Sequence, residues 1–79
     1  MNLRHVEIGK EYVIRDGVTG DEELNAFLFS LGCYSGEGIT VNARRKSGCT
    51  VSIKDGRYHI DNPLAVAIKL EYLIVILIG

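Results

Sequence analysis

Apolar positions in this chain follow two periods. Between Asp21 and Ser30, Leu24, Phe27 and Leu28 recur at the spacing of one helix face, and Leu31 continues the stripe at i+7. Asp21 and Glu22 load the first turn with the charge that a helix N-terminus favours, with Gly20 or Asp21 as N-cap. Gly32 follows the stripe where a left-handed C-cap is needed. The pattern predicts one helix of about three turns, with Phe29 lying off its stripe.

Elsewhere the alternation is that of strands. Glu11 to Arg15 is rich in aromatic and β-branched residues, and Ile39, Val41 and Ala43 alternate with Thr40, Asn42 and Arg44. Asp55-Gly56 is a preferred two-residue hairpin turn. It predicts Ile53 opposite Tyr58, Ser52 opposite His59 and Val51 opposite Ile60, with His59 on the face away from the core. Asn62 is placed as a cap and Pro63 at the first position of a short helical turn, after which a last strand starts near Ala67. The expected core includes Val13, Leu28, Leu31, Val41, Val51, Ile53 and Ile68. Short strands with one helix in 79 residues predict a mainly β fold, a small SH3-like β-barrel, because closing the sheet removes most exposed edges.

Composition narrows the function classes. Nine basic and ten acidic residues leave a net charge of −1, so no global field recruits nucleic acid or an anionic membrane. Arg44, Arg45, Lys46, Lys54 and Arg57 form a local basic cluster, but nucleic-acid binding needs interleaved aromatics and Tyr58 is assigned to the core. Two cysteines and no signal-type N-terminus point to a cytoplasmic protein. There is no P-loop, His-Glu-x-x-His or nucleophile elbow, so an enzyme is not expected. Candidate metal ligands are Cys33 and the pair His59 and Asp61, two apart on one strand face. The ligand set of a structural zinc site is missing, and Cys49, in phase with Val51 and Ile53, reads as a small buried hydrophobe.

Leu31-Gly32, Ser35-Gly36, the strand Ile39 to Ala43, the Val51 to Ile60 hairpin and Leu64-Ala65-x-x-Ile68 together resemble the FeoA family, ferrous iron transport protein A. The resemblance implies a non-enzymatic cytosolic accessory that associates with the FeoB-type membrane GTPase. The only cofactor it suggests is a divalent transition metal, Fe2+. A similar barrel is appended to iron-dependent repressors of the diphtheria-toxin-repressor type, which implies the alternative of a metal-sensing regulatory barrel. Residues 1–72 form the expected domain.

Residues 73–79 are an apolar extension read as an added strand. Leu73 to Ile78 carries no charge and is far shorter than the roughly 20 residues that span a bilayer. Such a segment in water is an aggregation hazard, so a covering surface is expected, with a homodimer through the C-terminal strand as the favoured form. Phe29, Arg44, Arg45, Leu73 and Val75 are the candidate partner-binding residues.

Overall fold

The computed structural model describes residues 1–16, 22–30, 32 and 36–73; of Asp16, Leu24 and Leu28 only the backbone is described. Strands β1 (Glu11–Asp16), β2 (Gly38–Arg44), β3 (Gly48–Ile53), β4 (Gly56–Asp61) and β5 (Lys69–Tyr72) form one antiparallel sheet in the order β4-β3-β2-β1-β5. Helix α1 (Glu22–Ser30) lies between β1 and β2, and α2 (Asn62–Ala67) carries the chain from one sheet edge, β4, to the other, β5. The fold is mainly β, as expected.

The N-terminal segment is tied to α2, β2 and β5. Leu3 and Val6 are buried, Leu3 N donates to Ala65 O at 3.1 Å, and Gly9 N donates to Val41 O at 2.8 Å. Leu70 N donates to Met1 O at 2.8 Å, beside a bridge between Asn2 and Lys69. The core joins these residues to Ile39, Val41, Cys49, Val51, Ile53, Ile60, Ala65, Ile68 and Leu70.

Strand β1 buries Tyr12 and Ile14, and the expected core residue Val13 is only half-buried. The alternation explains this: Val13 shares its face with Glu11 and Arg15, whereas Tyr12 and Ile14 are both apolar. Tyr12 reaches out of the core with its hydroxyl, which accepts a 3.0 Å hydrogen bond from Glu7 N.

Strand β2 changes face midway. Val41 pairs with Val51 but Ala43 pairs with Thr50, so Asn42 is an extra residue in a bulge, and its side-chain amide donates to Ser52 Oγ at 2.6 Å. Beyond the bulge the parity inverts. Arg44, expected on the polar face, instead lies opposite the fully buried Cys49.

The hairpin register is shifted by two residues from the expected one. Val51 pairs with Tyr58, Ser52 with Arg57, Thr50 with His59, Cys49 with Ile60 and Ile53 with Gly56. The loop is therefore Lys54-Asp55, with Lys54 in the left-handed region at φ 54°. Gly56 is a strand residue, paired with Ile53, and a Cβ there would meet the Tyr58 hydroxyl and ring. A two-residue shift keeps every side chain on its face, so His59 is still exposed and Ile60 still buried.

At the end of β4, Asp61 holds the N-cap position of α2, and Pro63 lies in the first turn. Asn62, expected as the cap, instead uses its side-chain amide to donate to Lys46 O, while its backbone N–H donates to Ser47 O at 3.2 Å. The last strand begins at Lys69, two residues after the expected start.

Candidate functional site

Helix α1 ends on its own signal. Gly32 takes φ 91° and its N–H donates to Phe29 O at 3.0 Å, the left-handed cap expected there. The cap also brings the helix end against the hairpin, since a Cβ on Gly32 would stand 3.2 Å from Ile53 Cγ2. Between them lies an open cleft of about 680 Å³, lined by Phe29, Ser30 and Gly32 on one side and by Ile53, Lys54 and Tyr58 on the other.

The cleft has an apolar floor and a charged rim. Ile53 is buried, Tyr58 is partly buried against the core, and Lys54 Nζ stands 3.8 Å from Glu37 Oε1. Phe29, which its position off the helix stripe left either on the flank of the core or exposed, is 67% exposed. Phe27, placed on the stripe, is 48% exposed. At about 100° per residue it sits some 60° from Leu24, on the flank of the stripe, where a short helix leaves it in solvent.

The candidate ligands are not gathered. His59 Nε2 and Asp61 Oδ1 stand 3.7 Å apart on the outer face of β4, both largely exposed, as their spacing predicts. Across the strand their neighbours are Thr50 and Gly48, neither a metal ligand of the usual kind. Among the described residues no three His, Cys, Asp or Glu side chains converge as a metal site would require. Cys33 lies outside the described residues. Cys49 is fully buried, its Sγ 3.5 Å from Leu3 O, and is the small core residue expected.

The basic cluster divides into inward and outward residues. Arg44 turns in and donates through Nη2 to Leu3 O at 3.0 Å and Val6 O at 2.6 Å. Arg4 Nη1 donates to Arg45 O at 2.7 Å, so two arginines bind the N-terminal segment to the β2–β3 loop. The Arg45 and Lys46 side chains are exposed.

At the opposite sheet edge, Leu73 is 43% exposed and Val75 lies outside the described residues. Sequence reasoning missed the group beside it. Tyr12 pairs with Tyr72, the ring centroids are 5.9 Å apart, and Lys10 Nζ stands 4.9 Å from the Tyr72 centroid. The usable signal was the cross-strand neighbourhood of two tyrosines, which appears only once the β1–β5 register is known.

No helix among the described residues is long and apolar enough to cross a membrane. No curated protein matches the chain closely enough to show a relationship. Solved structures share its fold. An iron uptake regulatory protein, FeoA, has a TM-score of 0.79 at 20% identity, with 92% of this chain and 96% of that one covered. FeoA from Chlorobium tepidum has a TM-score of 0.81 at 17% identity, covering 94% of this chain and 71% of that one. FeoA of Stenotrophomonas maltophilia, solved with zinc and described as an SH3 domain protein, has a TM-score of 0.71 at 18% identity, with 90% and 89% covered. These likenesses establish the SH3-like fold. The FeoA domain model matches residues 1–72, from the buried N-terminal segment through the last residue of β5, and the chain therefore belongs to the FeoA family.

Proposed function

We propose that this chain is a non-enzymatic accessory of ferrous iron transport, acting in the cytoplasm as a protein-interaction module for a FeoB-type membrane GTPase. The observation that carries this reading is the FeoA domain match over residues 1–72. The cleft beside α1 supports it, because an interaction module draws most of its affinity from a few aromatic anchors in desolvated pockets. Phe29 stands at one wall, Tyr58 at the other, and Ile53 forms an apolar floor. A partner segment seated there removes the Phe29 ring and the cleft from water together. The exposed Arg45 side chain adds positive charge that steers an acidic partner, acting on association rate more than on affinity. Leu73 and Val75 are reserved for a second surface.

The test is calorimetric titration of the chain against the purified cytosolic GTP-binding domain of a FeoB-type permease, and against the full permease in nanodiscs. Saturable binding is expected, weakened at least tenfold by Phe29→Ala, with Arg45→Glu mainly slowing association. Absence of binding to both forms overturns the reading. Binding to the metal-loaded dimer of an iron-dependent repressor instead would favour the regulatory alternative.

A further inference from the structure

Strand β4 forms one edge of the sheet, and among the described residues no strand pairs with its outer side. The opposite edge is partly covered, since Asn2 bridges Lys69 and Leu70 N donates to Met1 O at 2.8 Å. The hairpin fixes which backbone groups of β4 point outward. A two-residue loop closes on a hydrogen-bonded pair, here Ile53 with Gly56, so by alternation Tyr58 and Ile60 turn their N–H and C=O groups toward β3. Arg57, His59 and Asp61 turn theirs away from the sheet.

The side chains along this edge are complementary to themselves. Arg57, His59 and Asp61 are exposed on the outer face, and Tyr58 and Ile60 lie on the inner one. Two identical antiparallel strands side by side are related by a two-fold axis perpendicular to the sheet, which keeps each residue on its own face. With the axis at His59, Arg57 opposes the partner's Asp61 and Tyr58 opposes the partner's Ile60, and symmetry repeats each match. Opposite charges then meet on the outer face and apolar side chains on the inner face, the pairings that stabilise adjacent strands. In the same register His59 exchanges N–H and C=O with its own copy, and Asp61 N–H reaches the carbonyl of the partner's Arg57. The Asp61 carbonyl is left to open the hydrogen-bond ladder of α2, for which Asp61 is the N-cap.

Neighbouring registers lose this match. An axis at Tyr58 sets Asp61 against the partner's Asp55, carboxylate against carboxylate. An axis at Ile60 sets Arg57 against the partner's Pro63, which lies in α2 and offers neither an N–H nor a negative charge. Within its own chain Arg57 has no ion pair among the described residues, and Asp61 has only His59, at 3.7 Å. Charges on an edge strand ordinarily keep other strands away; placed as they are on β4, they favour one register of a second copy.

We propose that the outer edge of β4 binds a second copy of this chain, through antiparallel pairing of residues 57–61 about a two-fold axis at His59. The sheet then runs through both copies. The proposal does not rest on the partner assigned to the α1 cleft, and it uses the sheet edge opposite β5.

The charge pairs supply the first test. Sedimentation of the unmodified chain should show a dimer mass that grows with concentration. Arg57→Glu and Asp61→Arg each set like charges against one another on both sides of the axis, and each should weaken self-association at least tenfold with unchanged circular dichroism. Asp61 makes no side-chain cap bond, so reversing its charge removes none. The double variant Arg57→Glu/Asp61→Arg restores the match and should restore the dimer. Crosslinking supplies the second test. Copies of His59 form a hydrogen-bonded pair with Cα atoms about 5.5 Å apart, within the range a disulfide bridges. Copies of Thr50, which pairs with His59 one strand back, stand about 14 Å apart across three strand spacings. In a Cys33→Ser background, His59→Cys should form a disulfide-linked dimer on mild oxidation and Thr50→Cys should not. A chain monomeric at every concentration overturns the proposal. So does a dimer indifferent to both single reversals, including one lost instead on deleting residues 73–79, a folded double variant that stays monomeric, or crosslinking as fast at 50 as at 59.

Discussion

Arg44 Nη2 donates to the carbonyl of Val6 at 2.6 Å from a position opposite the buried Cys49. A guanidinium in a core-facing strand position is held here by the carbonyls of Leu3 and Val6, both of which accept from Nη2, while its buried Nε has no hydrogen-bond partner among the described residues. Hydrogen bonds to a charged group contribute about 1.5–3 kcal/mol each, less where water still reaches them. Arg44→Ala should therefore lower stability in urea by about 2–3 kcal/mol, and Arg44→Lys by less, since an ammonium reaches one carbonyl more easily than two. The Leu3 and Gly9 amides, which hold the N-terminal segment to Ala65 O and Val41 O, should lose exchange protection first. An Arg44→Ala variant as stable as the parent would show that the pair adds nothing.

Gly56 and Tyr58 form a second dependent pair. A methyl group on Gly56 meets the Tyr58 ring, so Gly56→Ala should cost about 1–3 kcal/mol, the usual range for overpacking. Tyr58→Ala alone removes partly buried aromatic surface and also destabilises. In the double variant the clash is gone, and the two costs should sum to more than the measured loss. Additive costs in thermal unfolding would mean that the ring simply swings away.

Much of this architecture was legible in the alternation. β2 and the hairpin strands lie where apolar and polar positions alternate, β1 where aromatic and β-branched residues gather, Gly32 caps α1, and the inward and outward faces of the hairpin are right although its register is not. What could not be read depends on contacts between distant residues. Asp55-Gly56 has the composition of a turn, but Gly56 opens β4 opposite Ile53, with the Tyr58 ring packed over it two residues along the same strand, and nothing local distinguishes the two uses. The Asn42 bulge inverts Arg44 because the carbonyls of Leu3 and Val6 lie within its reach, nearly forty residues away in sequence. The α1 cleft is built from two elements whose residues are separately unremarkable, so its apolar floor could not be seen before the fold.

Cys49 has no accessible surface, and its thiol lies among Leu3 O and the Arg4 guanidinium. In a Cys33→Ser background it should react with a thiol reagent only through opening of the fold. Labelling should therefore slow with added stabilising osmolyte and accelerate with urea in step with global unfolding. Fast labelling in the native state would show that the N-terminal segment opens on its own. The same segment can be probed by Leu3→Ala, which removes a fully buried side chain and should cost about 2–5 kcal/mol.

His59 and Asp61 are the remaining ligand candidates on the described surface, and their geometry sets a ceiling on metal affinity. Two side chains 3.7 Å apart on an exposed strand face can share an ion, but all other coordination positions would have to be filled by water. No third His, Cys, Asp or Glu stands with them among the described residues. A dissociation constant near ten micromolar requires about 7 kcal/mol, more than two mobile surface ligands are expected to supply. Calorimetry with Zn2+, and with Fe2+ under anaerobic conditions, should therefore show only weak binding, little changed by His59→Ala. The measurement also separates two parts of the protein. A tight site that survives His59→Ala and is lost in Cys33→Ser would place the metal at Cys33, whereas one lost with His59 would mean that a second chain completes the β4 pair.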